Sequence, residues 1–226
     1  MNKETRSTFI EAQESAPVIW FFKWYSWFLA KRRFHSVCIR NEYNRSKDTP
    51  TLYILNHHYW WDGLIPLILN EFIFKQHARA VMEDKQMIKF PFFSKIGAFS
   101  INRSNPTSAL KSLAYGADWL RNSNNSLYVF PEGKFSQLHE PIKIESGITK
   151  ILEWVPNIDI VNISIHINFQ TSDRPILFID VSKPVRLPTA VNRTELVETL
   201  NQLMNENLSR LRQDSLNNPG YFQKLR

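Results

Sequence analysis

Thr51-Leu52-Tyr53-Ile54-Leu55-Asn56-His57-His58-Tyr59-Trp60-Trp61-Asp62-Gly63 is the stretch on which the fold turns. Its first five residues form a compact run with β-branched and aromatic content, the pattern of a buried strand. Asn56 to Asp62 then reads as a turn that leads into an apolar segment, Gly63 to Asn70. A strand that ends in a polar turn and feeds an apolar segment is the opening of an α/β unit.

The rest of the chain repeats this alternation. Upstream, Ser36 to Arg40 reads as a short strand and Asn41 to Pro50 as a polar turn region. Downstream, His77 to Met82, Ala98 to Asn102, Leu127 to Phe130, Ile158 to Ile167 and Pro175 to Val181 read as strands. Between them, Glu83 to Lys95 reads as two short helical pieces broken at Pro91. Ser104 or Asn105 can cap a helix with Pro106 in its first turn and an apolar face of Leu110, Leu113, Ala114, Ala117 and Leu120, ended by the turn Asn122 to Ser126. Gly147 to Trp154 is a further helix, and Thr194 to Arg212 repeats Leu196, Leu200, Leu203, Met204, Leu208 and Leu211 at helical spacing. The order predicts an α/β fold with a mostly parallel or mixed central sheet flanked by helices, its working residues on loops at the carboxyl ends of strands. Only the first dozen residues and the last ten read as disordered tails.

Composition narrows the function. The 226 residues fit one domain, and seven Trp and sixteen Phe in a 13% aromatic chain need somewhere to go. A net charge of +7 and a pI near 9.5 suit anionic partners: nucleic acid, lipid headgroups or phosphorylated substrates. The single cysteine, Cys38, excludes an internal disulfide and fits a reducing compartment. Met1 to Glu14 is too polar for a secretory signal.

The window Ala16 to Ala30 is too short to span a bilayer, and Lys23 interrupts it. As a helix it places Lys23, Ser26, Ala30 and Arg33 on one narrow stripe, with Trp20, Phe21, Trp24, Trp27 and Phe28 around it, followed at once by Lys31, Arg32 and Arg33. Interfacial Trp rings and a basic cluster are two membrane signals, the number stable attachment takes. Residues 1–40 therefore read as an aromatic, basic membrane-associating segment with a membrane-interface helix, and 41–226 as the catalytic domain, at the cytoplasmic face of a membrane.

Three constellations carry chemistry. Asn56, His57 and Asp62 form N-H-x-x-x-x-D. A neutral imidazole can take a proton near pH 7, and a carboxylate on its other nitrogen fixes the tautomer and stabilises the imidazolium. On a regular helix, five residues would set the two side chains about 140° apart, so they meet only across a turn. Phe130-Pro131-Glu132-Gly133-Lys134 is a strand end and tight turn, with Gly133 permitting close backbone approach and Glu132 offering an acceptor for a hydroxyl. Between these, the strand ending at Asn102 delivers Arg103, a fork suited to phosphate, to the same edge of the sheet.

In this order and spacing the three elements resemble the PlsC-type family of glycerolipid acyltransferases, over about Thr51 to Ile165. The first block matches fully, and the third, F-P-E-G-T-R-S, matches at Phe130 to Gly133 and at Ser136. Three departures stand out: Phe135 occupies the position of the third-block arginine with Lys134 before it, Asn102 replaces an acidic residue, and Asn162 replaces the usual fourth-block proline. The resemblance implies His57 as base, Asp62 as its orienting partner, and Arg103, Glu132 and Gly133 as holders of the acceptor's phosphate and glycerol. Lys134 could replace the missing arginine as a point charge but not as a fork.

The resemblance further implies transfer of a fatty acyl group from acyl-CoA or acyl-carrier protein to a lysophospholipid such as lysophosphatidate, with membrane lipids as partners and neither cofactor nor metal. No Ser, Cys or Lys sits in a nucleophile motif, and a thiolate leaves readily, so one activated alcohol suffices, with the oxyanion held by backbone N–H groups of a nearby turn. An acceptor lacking a phosphomonoester, such as a glycolipid, is the alternative, and a thioesterase is a further one. A nucleic-acid partner fits less well, because the cations are scattered and no nucleic-acid motif appears.

Overall fold

The computed structural model describes residues 9–46, 48–169, 173–185 and 192–225. Helix α1 (Ala16–Arg33) is followed by β1 (Ser36–Asn41) and β2 (Thr51–Leu55). A 3-10 turn (Trp60–Leu64), α2 (Ile65–Leu69) and a π turn (Asn70–Phe74) lead to β3 (His77–Glu83). Then come α3 (Asp84–Lys89), α4 (Phe92–Lys95), β4 (Ala98–Ile101), α5 (Pro106–Trp119), β5 (Asn125–Val129), α6 (Ile148–Trp154), β6 (Asp159–Asn168), β7 (Ile176–Val181), α7 (Arg193–Asn217) and β8 (Gln223–Lys224).

The strands form one sheet in the order β4-β3-β5-β2-β6-β7-β1-β8. The first five run parallel; β7 is antiparallel to β6, β1 is parallel to β7, and β8 is antiparallel to β1. This is the mixed α/β sheet expected. Strand periodicity splits the core in two: Leu52, Ile54, Leu127 and Ile160 face α5, α6 and α7, while Tyr53, Leu55, Tyr128 and Val161 face α1 and α2. β2 is buried at every residue, which is why its sequence shows no alternation. With β2 central, the turn after Leu55 sits at the carboxyl edge between β5 and β6.

Local signals account for most boundaries. Asn105 caps α5, its side chain accepting from Ser108 N at 3.0 Å. Asn192 caps α7 through Glu195 N at 2.9 Å. β4 stops at Ile101 because the Asn102 side chain accepts from Ser104 N and Asn105 N, turning the chain. β5 begins at Asn125, two residues before the expected start, because Asn125 Nδ2 reaches Trp119 O at 2.8 Å and satisfies itself inside the sheet.

Both expected tails need correction. The last residues are not a loose end: Phe222 is buried against Phe178, and Gln223 and Lys224 pair with β1. Residues 1–8 lie outside the described residues, whereas residues 9–12 pack on the fold. Ile10 and Ser100 exchange hydrogen bonds, and Phe9 lies edge-on to Tyr115.

The α1 stripe also faces the other way from a solvent-facing polar strip. Ser26 and Ala30 are buried against the fold, where small side chains let the helix approach closely, and Lys23 reaches Glu71 of the π turn. Trp20, Phe21, Trp24, Tyr25 and Phe28 point outward, with Trp20 65% and Phe28 59% exposed. Lys31, Arg32 and Arg33 are exposed at the helix end, and residues 36–40 lie inside β1. Among the described residues no helix is long and apolar enough to cross a membrane.

Candidate active site

The first constellation is built on a lock between two parallel strands. Asn56, buried at the end of β2, accepts from Ile165 N at 2.8 Å and donates to Ile165 O at 3.0 Å, so its amide imitates one more rung of the ladder to β6. The chain then turns sharply. Asp62, fully buried in the 3-10 turn, accepts at Oδ2 from His58 N (2.7 Å) and Tyr59 N (2.8 Å), and the same oxygen lies 3.3 Å from His57 Nδ1. The turn brings together two side chains that a regular helix would set apart. With Nδ1 facing the carboxylate, the tautomer that donates there leaves Nε2 as the free base.

The imidazole has two aromatic neighbours. Phe130 lies 4.3 Å from it and Phe135 4.0 Å, centroid to centroid, both rings tilted by about a third of a right angle. Phe135 is 57% exposed, so its ring covers His57 from the solvent side of the loop.

The third block is pinned to the first from both directions. Glu132, buried, accepts from His57 N at 3.1 Å and from Ser136 Oγ at 2.6 Å, while Ser136 N donates to His57 O at 3.0 Å. Burial raises the Glu132 pKa, opposed by the Ser136 and His57 hydrogen bonds and by the charges of His57 and Lys134. Both oxygens of Glu132 are thus taken up by the protein's own donors. Lys134 is exposed beside it.

Arg103 reaches this loop from the end of β4. Its guanidinium donates to Gly133 O and pairs with Glu145, whose backbone N donates to Pro131 O at 2.7 Å. Gly133 has φ +63°, and a Cβ there would stand 2.7 Å from Arg103 Cζ. Only glycine allows the guanidinium to lie on the backbone at that point. His57, Asp62, Arg103, Glu132, Gly133 and Lys134 therefore come together at one edge of the sheet. Among the described residues, no group of three or more metal-ligating side chains exists.

Two sets of neighbours went unsuspected in the sequence. One is the Phe135 ring on His57. The other is His58, Tyr59, His166 and Arg212, which gather on the other side of the turn. The only sequence signal for the second set is that His166 lies at the carboxyl end of a strand.

An imidazole–carboxylate pair at the carboxyl edge of a mixed α/β sheet, beside an arginine and a glycine loop, has the chemistry a general base requires. A family model described as Acyltransferase matches residues 36–167, more than half of the chain and every one of the three blocks. The chain belongs to this family and is an acyltransferase. Among solved structures, it is similar to the 1-acyl-sn-glycerophosphate (LPA) acyltransferase PlsC from Thermotoga maritima, with 15% identity, a TM-score of 0.61, and 86% of this chain and 80% of that one covered. That likeness bears out the fold. No curated protein matches the chain.

Proposed function

We propose that this enzyme moves a fatty acyl group from acyl-CoA or acyl-carrier protein to a hydroxyl of a lysophospholipid such as lysophosphatidate, with His57 as general base. The observation that carries the reading is the 3.3 Å approach of His57 Nδ1 to a buried Asp62 anchored by two backbone N–H groups. Asp62 holds the imidazole so that Nε2 takes the acceptor's proton as its oxygen attacks the thioester carbonyl. The tetrahedral intermediate collapses, the C–S bond breaks, and the imidazolium returns the proton to the departing thiolate. Cys38, the one thiol, lies buried on β1, separated from β2 by β6 and β7, which supports a mechanism without an acyl-enzyme.

Lys134, and Arg103 braced on Gly133 O and Glu145, form the positive edge for the acceptor, and Glu132 fixes the loop that presents them. No cofactor enters the scheme. The exposed aromatic face of α1, with Lys31 to Arg33, holds the site against the anionic cytoplasmic face of a membrane, where acyl chains reside. The catalytic turn is tied to that helix end through Trp61 on Phe34, 5.6 Å between rings.

A second reading is favoured by Phe135. An apolar ring on His57 where the family carries a cation suits an acceptor without a phosphomonoester, such as a glycolipid. Labelled acyl donor incubated with lysophosphatidate, a lysoglycolipid or no acceptor separates the possibilities. Acylated lysophosphatidate is expected; label only in free fatty acid would make the enzyme a thioesterase, and a trapped acyl–protein adduct would overturn the one-step scheme.

A further inference from the structure

Helix α7 begins well beyond the family-matched residues, so nothing in the three blocks assigns Arg212 a role. Its guanidinium crosses to the third-block loop and donates to Leu138 O at 2.5 Å. Among the described residues no carboxylate pairs with it. Burial disfavours its charge, and only the Tyr59 phenol acts in the other direction. A half-buried arginine without a carboxylate is uncommon, because desolvation of the cation goes uncompensated.

Two imidazoles beside it also carry unsatisfied ring nitrogens. His58 Nδ1 lies 2.7 Å from Asn56 Nδ2, whose N–H groups donate, so the ring's proton sits on Nε2. That Nε2 is buried with no partner, and so is His166 Nδ1. Burial and the Arg212 charge both depress the two histidines, a sign that the three groups stand near one another. The unmet Nε2–H of His58 and the unpartnered Nδ1 of His166 therefore lie near a lone cation, directly after His57 in sequence and on the side of the turn away from Arg103. An anion with several acceptor oxygens would meet all three, His166 taking the tautomer that donates from Nδ1.

We propose that Arg212, His58 and His166 form a phosphate-ester subsite, which replaces the third-block cation lost to Phe135 and seats a phosphate of one of the two substrates beside His57. The inference rests on the acyl-transfer reading for its substrates, but not for its binding test. Acceptor phosphate and donor pantetheine phosphate share the required chemistry, and kinetics tells them apart.

The binding test follows the imidazole 15N signals of His58 and His166 in the full chain while sn-glycerol 3-phosphate or coenzyme A is added, with glycerol as control. Both histidines are expected to shift with at least one phosphate ligand and not with glycerol. Arg212→Gln is expected to weaken that binding at least tenfold, and Arg212→Lys to retain part of it. Unmoved histidines in the wild type, or equal binding by Arg212→Gln, would overturn the subsite. In turnover, Arg212→Gln is expected to raise KM at least tenfold for the phosphate-bearing substrate that docks there, acceptor or donor, with kcat within about threefold. An equal fall in kcat with lysophosphatidate and with monoacylglycerol, KM unchanged for acceptor and donor alike, would mean that Arg212 only anchors the loop at Leu138, and the subsite fails. A wild type that acylates nothing would refute the acyl-transfer reading, while the titration would still decide the subsite.

Discussion

Replacing Asp62 by asparagine separates the chemistry of the dyad from its role in the fold. Asp62 Oδ2 accepts from His58 N at 2.7 Å and Tyr59 N at 2.8 Å, and an amide oxygen in the same place keeps both bonds. The amide NH2 then falls where Oδ1 already lies buried without a partner, so Asp62→Asn should change stability by only about 1 kcal/mol. Its charge is gone, however, and with it most of the stabilisation of the imidazolium, while the oxygen that stays 3.3 Å from Nδ1 still accepts from the Nδ1–H tautomer. A loss in kcat on the order of 10² to 10³ follows, equivalent to about 2.7 to 4 kcal/mol of transition-state stabilisation. Asp62→Ala strands two buried backbone donors at about 1–3 kcal/mol each and should lose about 2–6 kcal/mol of stability as well. Steady-state acyl transfer and urea unfolding of the two variants provide the readout. Asp62→Asn protein that folds normally and keeps activity within about threefold would refute the assignment.

Three further outcomes follow from the same contacts. Gly133→Ala places a Cβ 2.7 Å from Arg103 Cζ at a φ of +63°, so it should cost about 1 kcal/mol or more in thermal or urea unfolding and raise the acceptor KM, whereas a neutral result would free Arg103 from the loop. Trp20→Ser, Phe21→Ser and Phe28→Ser together remove exposed aromatic surface without touching Ser26 or Ala30. Sedimentation with anionic vesicles should then weaken on the order of 100-fold at unchanged melting temperature, and unchanged binding would remove α1 from the membrane. His166 is pushed down by burial, Arg212 and His58 from 6.5 to about 4, so the fold favours its neutral form. The stability this contributes is whole above pH 6.5 and is lost as pH falls towards about 4, on the order of 3 kcal/mol in all. His166→Gln should therefore flatten the stability profile across that window, and an unchanged slope in urea unfolding would contradict it.

What could be read from the chain and what could not divide along the range of the interactions. The run from Thr51 to Leu55 announced a strand buried on both sides, and the polar turn after it carried its own instruction, because Asp62 is held by backbone N–H groups only three and four residues away. Pro91, Asn105 and Pro106 likewise act locally and were legible. Strand order was not: β1 enters the sheet beside β7, far along the chain, and β8 is two residues long with nothing in its sequence to mark it. The stripe of Lys23, Ser26, Ala30 and Arg33 was visible, but which side of α1 faced the protein depended on the small residues fitting against the fold. The apolar face of α7 was equally plain. That Arg212, on its polar flank, reaches the third-block loop at Leu138 is set by how a 25-residue helix crosses β6, which no spacing in the sequence reports.

In the proposed reaction His57, held by Asp62, removes the proton from a lipid hydroxyl. It is tested most directly by comparing wild type with His57→Ala, using labelled acyl thioester and lysophosphatidate in vesicles, with circular dichroism to establish that both are folded. Labelled diacyl lipid is expected from the wild type, and a rate at least about 100-fold lower from the variant. A folded His57→Ala protein that acylates the lipid at a comparable rate would contradict it.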